Sequence, residues 1–125
     1  MKTIILDTDF ILIPAKYKVD VFSEIDRICD FKYKLAIFYK TLEELANLKG
    51  LKRQVKLTKE LIKAKGLNIL KNDRNCKTVD VAILGYANLG QSIVATQDAA
   101  LKRSLRAKKI PIITLRQKKY LILVE

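Results

Sequence analysis

Apolar positions in this chain alternate between short continuous runs and stretches of helical period. Residues 3–6 form a brief β-branched and aliphatic run of the kind buried on both faces of a parallel sheet, and it stops at the polar triplet Asp7-Thr8-Asp9. Pro14 breaks the apolar segment that follows. From Val19 the spacing Val19, Phe22, Ile25, Ile28 predicts a helix, with Asp20, Glu24 and Asp26 on its other faces. Residues 35–38 read as a second strand. Thr41 is then placed to cap a helix carrying Leu42, Leu45 and Leu48, with Glu44 in the capping-box position and Gly50 at its end. Residues 54–65 predict another helix, closed by Gly66, and residues 67–70 a short strand. Thr78 opens a helix packed through Val79, Ala82, Ile83, Tyr86 and Ala87. Residues 92–96 form a further buried strand, 98–108 a helix carrying Leu101 and Leu105, 111–115 a strand, and 121–124 an edge strand.

Strands that alternate with helices imply right-handed crossovers. The expected fold class is therefore α/β, a three-layer α/β/α sandwich around a mainly parallel sheet. The length of 125 residues suits one domain spanning 1–125, and no low-complexity stretch or internal repeat divides it. The apolar run after Met1 and Lys2 ends at Asp7, too short for a signal peptide or a membrane span, so a cytoplasmic protein with no membrane partner is expected. Cys29 and Cys76 have no CxxC spacing and are expected to be reduced thiols. The chain contains no His, which removes ordinary zinc ligation and His-based catalysis together.

Charge narrows the partner. Twenty-five Lys and Arg against thirteen Asp and Glu give a net charge of +12, a profile suited to a polyanion, with nucleic acid as the leading class. Lys- and Ile-rich composition also marks proteins from hot environments, where exposed Lys is partly a stability device. Against this background the acids stand out: the segment 45–72 holds Glu60 alone, and 99–124 holds none.

Functional groups in open parallel sheets collect where the carboxyl ends of strands meet the following loops. Asp7 follows the first predicted strand and Asp98 follows the 92–96 strand, and Glu44 faces the same edge from the first turn of its helix. Asp80 lies in the first turn of the helix before the 92–96 strand, and periodicity does not settle whether it points inward. Several carboxylates in one pocket repel one another unless a divalent cation neutralises them, and all-oxygen ligation is the preference of Mg²⁺ or Mn²⁺. Such an ion allows a site without His to hydrolyse a phosphodiester. The plainer readings are helix N-terminal carboxylates for Glu44 and Asp80, and solvated strand-end turns for Asp7 and Asp98.

Ile5-Leu6-Asp7-Thr8-Asp9 and Val94-Ala95-Thr96-Gln97-Asp98 resemble the first and last acidic motifs of PIN-domain nucleases. Leu42-Glu43-Glu44-Leu45 is similar to the family's Glu-Leu signature after the second strand, and Val79-Asp80-Val81-Ala82-Ile83 to its Asp-x-x-Ile signature on the later helix. The resemblance covers nearly the whole chain. It implies a Mg²⁺- or Mn²⁺-dependent endoribonuclease, with Asp7, Glu44, Asp80 and Asp98 as the catalytic, metal-holding acids and Asp9 and Thr96 in support. Glu43 is the alternative to Glu44, since helix phase does not separate them. Asp9 stands where the family commonly has Asn or Ser, and Val81 where it often has a second acid.

RNA contacts are expected from Lys49, Lys52 and Arg53 after the Glu44 helix and from Lys102, Arg103 and Arg106 after Asp98. For each of these the plainer reading is a solvated surface. No aromatic stacking platform is evident among Tyr17, Tyr33, Tyr39, Tyr86 and Tyr120, most of which are expected in the core or at its rim. The resemblance also implies a homodimer and either of two settings: a VapC-like toxin with an antitoxin partner, or RNA processing or decay with a ribosome-biogenesis partner. The short length suits a toxin, whereas the opening segment through Phe22 is more similar to an archaeal group related to the rRNA-processing branch. Two other readings compete. One is a PIN module that binds RNA or protein without cutting. The other is a phosphoacceptor receiver domain, which requires an acid after the third strand, where Asp73 is a weak match.

Overall fold

The computed structural model describes residues 1–73, 75–87 and 90–125. Six strands form one sheet in the order β3-β2-β1-β4-β5-β6. The strands are β1 (Lys2–Leu6), β2 (Tyr33–Phe38), β3 (Asn68–Leu70), β4 (Ser92–Ala95), β5 (Ile112–Arg116) and β6 (Tyr120–Val124). All neighbours pair in parallel except β5 and β6, which are antiparallel. The chain winds outward from β1 in one direction through β2 and β3, then returns to β4 on the other side. The topological switch point therefore lies between β1 and β4, where Leu6 pairs with Ala95.

Successive residues of β1 enter opposite layers. Ile4 and Leu6 join a core with Phe10, Ile11, Val21, Ile25, Leu45 and Ile62, while Ile5 joins a second core with Val79, Ile83, Leu101 and Leu105. The helices of the first layer are α1 (Thr8–Ile11), α2 (Ile13–Tyr17), α3 (Val21–Ile28), α4 (Tyr39–Ala46) and α5 (Lys52–Ala64); those of the second are α6 (Val79–Tyr86) and α7 (Ala99–Ala107). This is the three-layer sandwich that the alternating pattern predicts. Among the described residues no helix is long and apolar enough to cross a membrane. Cys29 and Cys76 are both free thiols.

Three local expectations are corrected. Pro14 does more than interrupt an apolar run: it occupies the first turn of α2, where its missing N–H costs nothing and its fixed φ suits a helix start. Thr41 is not a cap. The helix begins two residues earlier, directly from Phe38 at the end of β2, and Thr41 is wholly buried inside it. Part of the work of a cap falls to Asn72, whose Oδ1 accepts from the Lys40 N–H at 2.8 Å. Finally, α4 stops at Ala46, which leaves Leu48 and Gly50 in the turn before α5. The expected stop at Gly66 holds: its φ is +60°, and the next N–H, that of Leu67, closes on the Ile62 carbonyl at 3.2 Å.

Candidate active site

Asp7 is the first residue beyond β1. Its N–H continues the sheet pairing to the Ala95 carbonyl at 3.0 Å, so the neighbouring strand fixes its backbone before its side chain is considered. Its carboxylate is almost fully buried, with Oδ1 accepting from the Thr8 N–H and Oδ2 from the Thr96 hydroxyl, each at 2.8 Å. Thr96 also accepts from the Asp98 N–H at 3.1 Å, so one hydroxyl ties the end of β1 to the turn after β4. Asp98 in turn caps α7, its Oδ1 accepting from Leu101 N–H at 2.8 Å. Gln97, between them, anchors that turn to β5 by accepting from the Thr114 hydroxyl and the Leu115 N–H at 2.8 and 2.6 Å.

Glu44 reaches the same place from α4. Its Oε1 accepts from the Thr8 hydroxyl at 2.6 Å and its Oε2 from the Val79 N–H at 3.3 Å, so it joins α1 to the start of α6. The expected capping box is thus replaced by a contact between three elements. Asp80 lies half-buried one residue further along α6, whose cap is Thr78. Asp7, Asp9, Glu43, Glu44, Asp80 and Asp98 line one cleft of about 510 Å³. Of the two adjacent glutamates, Glu44 is the one bonded to Thr8 and Val79, whereas Glu43 is exposed at the rim.

The acids share one electrostatic environment. Burial pushes the Asp7 carboxyl up to about 6, against the lowering effect of the Thr96 hydrogen bond, and the charges of Asp80 and Asp9 push it the same way. Asp80 is also raised, first by burial and then by Asp98, Glu44 and Asp9. The single ion pair among the described residues is Arg27 with Glu24 on α3, so no described Lys or Arg contacts a cleft carboxylate. Nor, among the described residues, do three of them converge tightly enough to enclose a metal by themselves.

The basic residues divide. Lys49, Lys52 and Arg53 are exposed around the α4–α5 turn and are absent from the cleft lining. Lys102 is half-buried and its pKa is lowered, by burial first and then by Arg116 and Arg106, with Asp98 opposing; it thus belongs to a basic group beside Asp98. Arg103 is exposed. Sequence reasoning missed Lys40 and Lys77, which line the cleft, as well as Arg116 at the end of β5 and the role of Thr8. Lys40 does follow the strand-end logic used for the acids, lying just beyond β2, whereas Lys77 precedes the α6 cap and no strand end marks it. Asp73 lines a separate groove, away from Asp7, and the strand order is not the 2-1-3-4-5 of receiver domains.

Replacing Thr96 by Val tests the link between the two strand ends. Loss of the hydroxyl is expected to raise the Asp7 carboxyl further above about 6 and to destabilise the fold by about 1–3 kcal/mol, since a buried acceptor and the Asp98 N–H both lose a partner. Carboxyl ¹³C titration by NMR reads the first effect and urea unfolding the second.

Known proteins share this sequence pattern and architecture. A family profile described as PIN like domain matches residues 4–118. The ribonuclease VapC4 of Methanocaldococcus jannaschii is 37% identical over 124 residues, spanning 96% of this chain and 95% of that protein. The solved structure of the PIN domain endonuclease Utp24 superposes with a TM-score of 0.81 at 22% identity, covering 97% of this chain and 90% of that one, which identifies a shared fold.

Proposed function

The chain belongs to the PIN-like domain family, and from that premise we propose that it is a metal-dependent endoribonuclease. Asp7, Glu44, Asp80 and Asp98 would hold Mg²⁺ or Mn²⁺, with Asp9 and Thr96 in support. The observation that carries this reading is a cleft lined by carboxylates that, among the described residues, has no contacting Lys or Arg, in a chain of net charge +12. A protein so rich in cations has every means of pairing these acids internally; leaving them unpaired suits a site that takes its positive charge from outside. The donor set is all oxygen and loosely spread, which fits a hard ion that keeps several waters and uses few protein ligands. The ribonuclease named among the relatives supports RNA as the substrate.

The bound ion would supply a water of lowered pKa and stabilise negative charge on the phosphodiester. The chain's own residues position that chemistry. Thr96 and the Thr8 N–H fix both oxygens of Asp7, and the Thr8 hydroxyl with the Val79 N–H fixes both oxygens of Glu44. Lys40 and Lys77 in the cleft, and Lys102, Arg106 and Arg116 beside Asp98, would hold the RNA backbone, with Arg103, Lys49, Lys52 and Arg53 contributing from further out. An antitoxin or a ribosome-biogenesis factor is the protein partner this role calls for, with a homodimer as the assembly and the cytoplasm as its place.

Incubation of a structured RNA with the protein and Mn²⁺ or Mg²⁺ is expected to yield internal cuts. EDTA and Asp98→Asn should each suppress them. Cuts that survive both would refute the metal site, and binding by the wild type without any cleavage would favour the non-cutting module.

A further inference from the structure

Apart from Asp80, which lines the cleft, helix α6 consists of aliphatic and aromatic residues and one glycine, a composition that suits a helix with little exposed surface. Val79 and Ile83 are buried, but Val81 is 58% and Tyr86 40% exposed. This outer face borders a groove of about 430 Å³ lined by Phe38, Val81, Ala82, Gly85 and Tyr86. The Tyr86 ring stands edge-on to that of Phe38, with centroids 5.6 Å apart and planes at 84°.

Gly85 is out of place in local terms. It lies inside a helix, where glycine is the least favourable residue after proline, and its φ is outside the left-handed region that favours glycine. A Cβ added there would meet nothing within 4 Å, so no packing constraint requires its absence either. What the missing side chain provides is room in the groove.

The groove and the acidic cleft share a wall. The consecutive residues Asp80 and Val81 line the cleft and the groove respectively, and so do Lys77 and Cys76. Asn72, at the groove, holds the backbone of Lys40, which lines the cleft. We propose that this groove seats one unpaired nucleobase of an RNA whose backbone crosses the acidic cleft, the base lying against Tyr86 and over Gly85. The proposal rests on the nuclease reading of the cleft and adds to it a base-seating groove on the far side of α6. Stacked bases of a duplex cannot enter such a groove, whereas a splayed base offers a flat apolar face of the kind aromatic side chains bind. Position and charge favour this occupant: the groove opens beside the cleft that would hold the RNA backbone, and although its lining carries Asp73 as well as Lys71, Lys77 stands at the shared wall in a chain whose net charge of +12 draws in a polyanion.

The test is an abasic scan. A short unstructured oligoribonucleotide is prepared with a single abasic nucleotide at each position in turn, its binding is measured by fluorescence anisotropy in EDTA, and its cleavage with Mn²⁺ is followed in parallel. For the wild type, one abasic position should weaken binding about tenfold. Gly85→Leu, which fills the groove, and Tyr86→Ala, which removes its ring, should each bind the intact oligonucleotide about tenfold more weakly and show no further loss at that position. Gly85→Leu should melt at or above the wild-type temperature, which separates a blocked groove from a damaged fold. Equal loss at that position in wild type and Gly85→Leu, insensitivity at every position, or no binding at all would overturn the proposal. So would a Gly85→Leu protein whose mass by light scattering changes while its RNA affinity does not, since the occupant is then a second copy. Base-dependent binding without cleavage would support the groove and refute the nuclease reading, whereas cleavage indifferent to the scan would do the reverse.

Discussion

Asp7→Asn is expected to reduce RNA cleavage at least about 100-fold while making the metal-free protein more stable at neutral pH. The first effect follows from its place in the cleft, since loss of a residue merely supporting a metal ligand already costs about 10- to 100-fold. The second follows from linkage. The Asp7 carboxyl is raised from 3.8 to about 6 in the folded chain, so the proton binds the folded state more tightly than the unfolded one. Stability from that proton is fully present below pH 3.8 and is lost as pH rises through about 6. At pH 7.5 the wild type therefore carries a buried, ionised Asp7 at a cost of about 1–3 kcal/mol, which a neutral amide avoids. Asn retains an acceptor for the Thr8 N–H, and its amino group can donate to Thr96, so the isostere keeps the local connections. Urea unfolding in EDTA at pH 7.5 and pH 5 should show the variant ahead at the higher pH, with the gap narrowing at the lower. A variant that is less stable than the wild type at pH 7.5 would mean that burial strain on this carboxylate has been misread.

That strain sits at a position visible from the chain alone, because the rule placing functional groups at strand ends needs only the strand boundaries. Asp7 and Asp98 end runs too apolar to be anything but buried strands, and the sheet brings those two strands side by side. Glu44 was harder. Its spacing from Thr41 satisfies a capping box, yet the helix starts before Thr41, and one of its first donors, the Lys40 N–H, is served by Asn72, 32 residues away. No local pattern encodes such a partner. Pro14 shows a similar limit, since proline both breaks one helix and begins another, and only burial of Phe10 through Ile13 settles the choice. Lys40 and Lys77 were obscured by number: with twenty-five Lys and Arg in the chain, periodicity separates core from surface but not one surface from another. The groove beside α6 was hidden for the opposite reason. A helix whose residues are apolar apart from Asp80 and Gly85 reads as buried, and the exposed Val81 and Tyr86 appear only once the neighbouring elements are placed.

The ion itself should change stability by as much as these substitutions do. An ion that binds the folded chain alone stabilises it by RT ln(1 + [L]/Kd), about 2.7 kcal/mol at a hundredfold excess over Kd. Mn²⁺ is therefore expected to raise the melting temperature of the wild type by several degrees, reversibly with EDTA, and to have little effect on Asp7→Asn. The pH dependence distinguishes a carboxylate site from a general salt effect. Binding requires Asp7 ionised, and its carboxyl titrates at about 6, so the proton competes with the ion in a range where ordinary surface carboxylates are already charged. The shift should be large at pH 7.5 and should shrink steeply towards pH 5. Ions on the outer surface would instead stabilise wild type and Asp7→Asn alike, with little change between those two pH values. Differential scanning fluorimetry at fixed ionic strength decides between the two, and a shift of equal size in both proteins would remove Asp7 from the metal-holding set. Mn²⁺ should therefore offset the advantage that Asp7→Asn holds in EDTA, and reverse it at higher excess over Kd, because the carboxylate that is costly in the empty fold is the one that would hold the cation.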